Sequence, residues 1–194
     1  MVNMNGDIIN EALEALEVLG STLAFRGLEA SLVVIGGGNL IYAGLVRRTV
    51  TKDLDVVGQL RDGRVEPITK MPQPLAQAIL DVARQLDLAP DWINTGPSAL
   101  LTKGLPEGFV ARLEREEFSG ALTVWFAGRL DAIATKIYAA ANPNPGDPNT
   151  GRHLQDLVDL APTGVELAFG RAWMATWADG DLLAAADDVI GRLS

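Results

Sequence analysis

Apolar residues at Ile9, Leu13, Leu16, Leu19 and Leu23 recur at helical spacing and predict a helix over residues 7–27, with Asp7 as its N-cap. The pattern then changes. Residues 31–35 (SLVVI) form a short continuous apolar run and read as a buried strand. Three glycines follow, and residues 39–46 can make two helical turns. Residues 53–58 read as the next strand, and Leu75, Ile79, Val82 and Leu86 mark one face of a helix over 73–87. Residues 91–120 hold Gly96, Pro97, Gly104, Pro106 and Gly108 between short apolar pieces, and read as loop with room for one short strand. Residues 121–127 (ALTVWFA) are rich in β-formers and predict a third strand.

Beyond that strand the pattern is helical. Residues 129–141 and 152–160 read as helices separated by a Pro/Asn/Gly loop over 142–151. Thr163 with Glu166 has the spacing of a capping box and opens a helix over 164–177, and Asp181 is expected to open a last one over 182–193. Strands early and helices late predict an α+β domain over residues 1–128 and a C-terminal helical region, 129–194, packed on it. There is no internal repeat and no low-complexity tract.

Composition narrows the chemistry. The 194 residues suit one large domain, or a small domain with a helical extension. Apolar runs are short and broken, so none could span a bilayer, and the acidic, amphipathic start does not resemble a signal peptide. The chain has no cysteine and one histidine, which excludes disulfides, thiolate metal sites and multi-His zinc sites. The expectation is a cytoplasmic protein with oxygen-ligated metals such as Mg²⁺. A net charge of −9 lowers the expectation of nucleic acid as the main partner, though a local basic patch remains compatible with it.

Within this frame, residues 32–57 carry the strongest chemical signal. Asp53 and Asp55 stand two apart on a strand, so both side chains point to one face. Like charges placed together in an apolar run are unfavourable without a cation between them, which points to a divalent metal. The alternative is a solvent-facing strand with Lys52 or an arginine as partner. The glycines at 36–38 fit either a phosphate cradle or a tight turn packing a helix on a sheet. They belong to neither the P-loop nor the dinucleotide fingerprint, since no Gly-Lys-Ser/Thr follows and the third fingerprint glycine is missing. Taken together, a phosphate cradle and a carboxylate pair on adjacent strands match the needs of a nucleoside triphosphate.

A hydrophobic strand, Gly-Gly, a dozen or so residues and then Asp-hydrophobic-Asp resembles the DNA polymerase β-type nucleotidyltransferases. The basic run Arg47, Arg48, Thr49, Thr51, Lys52 resembles more narrowly their AbiEii-like branch, which includes toxins of bacterial toxin–antitoxin and abortive-infection systems. So do Ala134-Thr135-Lys136-Ile137-Tyr138-Ala139, Asp156-Leu157-Val158-Asp159-Leu160 and the stretch from Ala161 to Trp173. The resemblance covers roughly residues 30–175. It implies a mixed β-sheet with flanking helices followed by a helical bundle. It also implies Mg²⁺- or Mn²⁺-dependent transfer of a nucleoside monophosphate from an NTP to a hydroxyl, on a tRNA 3′ end or a protein side chain, and a cognate antitoxin as partner. In this comparison Gly37, Gly38 and Arg48 hold the nucleotide, Asp53 and Asp55 bind metal, Lys136 meets the triphosphate, and Asp156 completes the polar site. Read from the residues alone, Lys136 could instead snorkel from its helix edge, and Asp156 could pair with Arg152 or yield its role to Asp159.

Two departures from the family pattern stand out. No acid lies within 121–127 to serve as the usual third carboxylate, leaving Asp91, Glu117 and Glu66 as candidates, and the arginine of the Arg-Thr-x-Asp run is one residue out of step. These motivate a second reading, a nucleotide- or partner-binding protein with weakened catalysis. His153 reads as solvent-facing, and Trp125, Trp173 and Trp177 read as packing residues. Trp92 is compatible with a place at the cleft, and the aspartates at 179, 181, 187 and 188 read as a solvated helix face.

Overall fold

The computed structural model describes residues 4–45, 53–142 and 150–193. Seven helices and six strands follow the order α1 (Met4–Phe25), β1 (Ala30–Ile35), α2 (Gly36–Tyr42), β2 (Leu54–Arg61), β3 (Arg64–Glu66), α3 (Gln73–Gln85), β4 (Ile93–Asn94), β5 (Glu114–Phe118), β6 (Leu122–Phe126), α4 (Arg129–Ala141), α5 (Thr150–Leu160), α6 (Gly164–Ala175) and α7 (Gly180–Gly191). Two 3-10 segments, Gly96–Lys103 and Phe109–Arg112, fill the connection between β4 and β5. The architecture is the α+β arrangement with a C-terminal helical region that the patterning predicts, and its sheet is mixed with flanking helices, as the resemblance implies.

The strands form one mixed sheet in the order β3-β2-β1-β6-β5, with β4 also on β2. β1 is antiparallel to β2 and parallel to β6. Both faces of β1 are covered, which explains its unbroken apolar run. Leu32 and Val34 face a core shared with α1 and α3, while Val33 and Ile35 face a core shared with the C-terminal helices. The β1–β2 register slips by one residue between Val33 and Val34. On β2, Leu54 and Val56 join the first core and Val57 the second, as strand alternation requires. The helices α4–α7 and the start of α2 lie on this second side, where Asn39 ties α2 to the sheet by donating from Nδ2 to the Ala127 carbonyl at 2.9 Å.

Several expectations need correction. The helix after β1 begins within the glycines and ends at Tyr42 rather than starting at residue 39. Residues 91–120 contain two strands rather than at most one. β5 (EREEF) escaped detection because it is an edge strand exposed along most of its length, so it carries no apolar alternation. The β2–β3 hairpin was also missed, although Asp62 and Gly63 at its tip both take positive φ, +47° and +72°, as a two-residue Asp-Gly turn requires. The last helix starts at Gly180, and its cap is Asp179, whose Oδ1 accepts from the Leu182 N–H at 2.9 Å, in place of Asp181. The capping box of Thr163 and Glu166 is present in full. The basic run at 46–52, with Arg48, and most of the Pro/Asn/Gly loop lie outside the described residues.

Candidate active site

The acidic pair sits where β2 begins. Asp55 is the second residue of the strand, opposite Ile35 on β1, and Asp53 lies just before it. β4 runs parallel to β2 on its other side and brings Asn94 into register with Asp55. The Asn94 amide nitrogen donates to Asp53 Oδ2 and to Asp55 Oδ1, both at 3.1 Å. Its own oxygen accepts from the Gly96 N–H at 3.0 Å, which fixes the amide orientation. The two carboxylates thus converge on one point, as they would around a cation. An all-oxygen donor set of this kind fits Mg²⁺ or Mn²⁺, which commonly take one or two protein carboxylates and complete their shell with water and substrate phosphate. Among the described residues no cluster of three or more His, Asp or Glu side chains stands ready to hold a metal alone.

The three glycines divide their duties. Gly36 has φ +80°, and a Cβ at that position would collide with the Asp55 carboxylate. A Cβ on Gly38 would strike the Leu54 side chain. Glycine is required here for close approach of the chain to β2. Gly37 and Gly38, which the resemblance assigns to the nucleotide, are buried, and Gly36 is the glycine on the wall of the adjoining pocket.

That pocket, about 230 Å³, is bounded by Gly36 and Asp55 on one side, by Lys103 from the 3-10 segment, and by Lys136, Tyr138 and His153 from α4 and α5. α4 presents Lys136 inward on an otherwise apolar face, and α5 meets it with Asp156. Lys136 Nζ lies 2.6 Å from Asp156 Oδ2, with the two side chains only 6% and 1% exposed. Asp156 therefore pairs across helices rather than with Arg152. Asp159 is on the exposed side of α5, where it accepts from Gln155 at 2.9 Å. His153 corrects its sequence reading: it is half-buried, lines the pocket, and places Nδ1 3.5 Å from Lys136 Nζ. Trp92 is a core residue whose Nε1 donates to the Ile79 carbonyl at 3.1 Å. A larger, mostly apolar groove of about 1190 Å³ adjoins the pocket through Gly96 and Ala99 and contains neither aspartate of the pair.

The candidates for a third carboxylate lie elsewhere. Asp91 is exposed, Glu66 stands on β3 within 4.0 Å of Arg61, and Glu117 pairs with Arg115 on the β5 edge. None lines the pocket. One buried acid escaped the sequence reading. Asp131, in the first turn of α4, is fully buried and receives two hydrogen bonds from the Arg112 guanidinium, at 2.8 and 2.6 Å. Burial pushes its carboxyl above the ordinary range while Arg112 pulls it back. It ties the second 3-10 segment to α4 and does not line the pocket. The other residue missed is Asn94. A lone asparagine in a Pro/Gly-rich stretch carries no signal until β4 is paired with β2.

One comparison places the chain among known proteins. The family described as nucleotidyltransferase of unknown function (DUF6036) matches residues 11–147, which span the sheet, the acidic pair and α4. Comparison with curated proteins and with solved structures gives no match. No helix among the described residues is long and apolar enough to cross a membrane.

Proposed function

The chain belongs to the DUF6036 family of nucleotidyltransferases of unknown function, and from that premise we propose that it moves a nucleoside monophosphate from an NTP to a hydroxyl acceptor. The observation that carries this reading is the convergence of Asp53 and Asp55 on one amide, beside a pocket that also contains Lys136. The acceptor hydroxyl gives up its proton to solvent as its oxygen attacks the α-phosphorus in line; a new P–O bond forms, and the bond from the α-phosphorus to the bridging oxygen breaks, releasing pyrophosphate. Asp53 and Asp55 would hold a Mg²⁺ or Mn²⁺, which when bound would offset the charge that builds during transfer. Gly36 allows the backbone to approach the pair, with Gly37 and Gly38 behind it. Lys136 directs its ammonium toward phosphate oxygens while Asp156 fixes its position. Arg48, outside the described residues, belongs to the basic run that the family resemblance assigns to the nucleotide. Catalysis then rests on orientation and on fixed charge rather than on a covalent enzyme intermediate.

The narrower reading is an AbiEii-like toxin. Its acceptor is a tRNA 3′ end or a protein hydroxyl, and an antitoxin is its partner. Incubation with each labelled NTP, Mg²⁺ and cell extract tests the activity: label passes to an acceptor, and transfer is lost in Asp53→Ala and Asp55→Ala. Growth arrest on expression, relieved by a neighbouring gene product, tests the toxin role. One observation favours a second reading, a nucleotide-binding protein with weakened catalysis: Asn94, not an acid, stands beside the pair on the adjacent strand. NTP binding without transfer to any acceptor would decide for it.

A further inference from the structure

A triphosphate carries several negative charges, and Lys136 already faces Asp156 at 2.6 Å. The described part of the pocket wall carries a second lysine. Lys103 ends the first 3-10 segment, is exposed, and lines the same pocket as Asp55. Among the described residues none of the ion pairs includes it.

Its position is defined by rings instead. Lys103 Nζ lies 4.5 Å from the centroid of the Trp177 ring and 5.9 Å from that of Tyr138. The rings themselves form an edge-to-face cluster, with Tyr138–Trp177 centroids at 5.3 Å and Trp173–Trp177 at 5.5 Å. Trp173 Nε1 donates to the Gly104 carbonyl at 3.0 Å and pins the end of the segment that carries Lys103. A cation–π contact at an exposed site holds an ammonium more weakly than a charge-assisted hydrogen bond does. The platform therefore keeps the ammonium at the pocket mouth and releases it to an anion. The pocket itself, about 230 Å³, is smaller than the ~300–1,000 Å³ of whole-ligand sites and suits a phosphate tail.

We propose that Lys103 is a second phosphate-binding lysine of this site, contacting the polyphosphate of the nucleotide from the pocket mouth while Lys136 meets it from within. The proposal rests on the nucleotidyltransferase reading. Its test is calorimetric titration of the full chain with tripolyphosphate and with each of the four NTPs, in Mg²⁺. Lys103→Gln is expected to weaken tripolyphosphate and the bound NTP by about tenfold, the scale of one hydrogen bond to a charged group. Lys103→Arg should retain most of the affinity, because it keeps the charge. Direct Mn²⁺ binding of both variants should stay at the wild-type value, and the melting temperature of Lys103→Gln should fall by no more than the loss of an exposed cation–π contact allows, which separates phosphate contact from a larger role in packing. Wild-type affinity for tripolyphosphate in Lys103→Gln, with NTP binding intact, overturns the role of Lys103 alone. A wild-type protein that binds neither tripolyphosphate nor any NTP overturns the nucleotidyltransferase reading with it.

Discussion

Lys136 and Asp156, twenty positions apart on two different helices, meet at 2.6 Å with almost no exposure to solvent. The pair joins α4 to α5 at the inner end of the candidate pocket. Removing one partner takes away the opposite charge against which the other is buried, and breaking a buried pair typically costs about 3–5 kcal/mol. Lys136→Ala or Asp156→Ala should therefore lower the unfolding midpoint in urea markedly. The double variant Lys136→Met/Asp156→Leu should recover most of that loss, because no charge remains to desolvate, yet stay without transfer activity. A double variant that transfers label as well as the wild type would remove Lys136 from the catalytic machinery.

Asn94 donates to both aspartates and occupies the register position beside Asp55. Asn94→Asp places a third negative charge there. Without metal, repulsion among three carboxylates should lower the melting temperature. Added Mn²⁺ should restore it by more than it raises the wild type, and Mn²⁺ affinity measured by electron paramagnetic resonance should rise. An unchanged melt in both conditions would show that the carboxylates are more widely separated than the shared amide implies.

Gly36 combines a φ of +80° with a Cβ position blocked by Asp55. Gly36→Ala should destabilise the fold by more than about 1 kcal/mol, since alanine resists that backbone conformation. It should also displace the Asp55 carboxylate and weaken Mn²⁺ binding. Gly63→Ala, at a positive φ with open space around its Cβ, provides the comparison: a similar backbone penalty and no effect on metal.

Substitution of the acidic pair itself is the most direct check on the ion. Asp53→Asn and Asp55→Asn should each lower Mn²⁺ affinity and reduce label transfer by at least about a hundredfold, the scale seen when one preorganised electrostatic group is removed. Each should keep the wild-type circular dichroism spectrum, because relief of like-charge crowding offsets the altered hydrogen bond to Asn94. Retained transfer in both variants would place the chemistry elsewhere.

Acid sensitivity should be visible at α6. The Arg129 guanidinium, bonded to Glu166 at 2.8 Å, together with Thr163, holds the Glu166 carboxyl down at about 2 from an ordinary value near 4.5. Its folded pKa is the lower one, so its contribution to stability is complete above about pH 4.5 and fades as pH falls toward 2. Glu166→Gln should therefore melt below the wild type at pH 7, with the gap narrowing through that window. A gap independent of pH would assign the effect to the capping geometry instead.

The secondary structure was legible in proportion to burial. α3 and α4 follow their apolar periodicity closely, β1 announces itself as a run covered on both faces, and the Thr163–Glu166 box is a local signal that needs no tertiary partner. β5 and β4 were obscured for opposite reasons. β5 is a charged edge exposed to water, and β4 is two residues long, too short for any period. Asp53 and Asp55 are legible from their types and spacing, whereas Lys136 and Asp156 come from the family resemblance. Asn94 and Lys103 come from neither, and His153 was assigned to solvent.

The sequence by itself determined the buried elements and the fold class, and it singled out the acidic pair, because each follows from a local pattern of polarity or from two residues on one strand. Only the tertiary structure decided what stands opposite that pair. Asn94 reaches it because β4 pairs with β2, and Lys103 borders the pocket because the 3-10 segment lies against the rings of α4 and the chain after α6. Lys136 finds Asp156 because the helices pack side by side, and His153 enters the pocket by the rotation of α5 that the same pair fixes. These are contacts between segments far apart in the chain. Their partners are set by which apolar faces must be buried against each other, and a polar residue in a loop or on a helix edge carries no local trace of that choice.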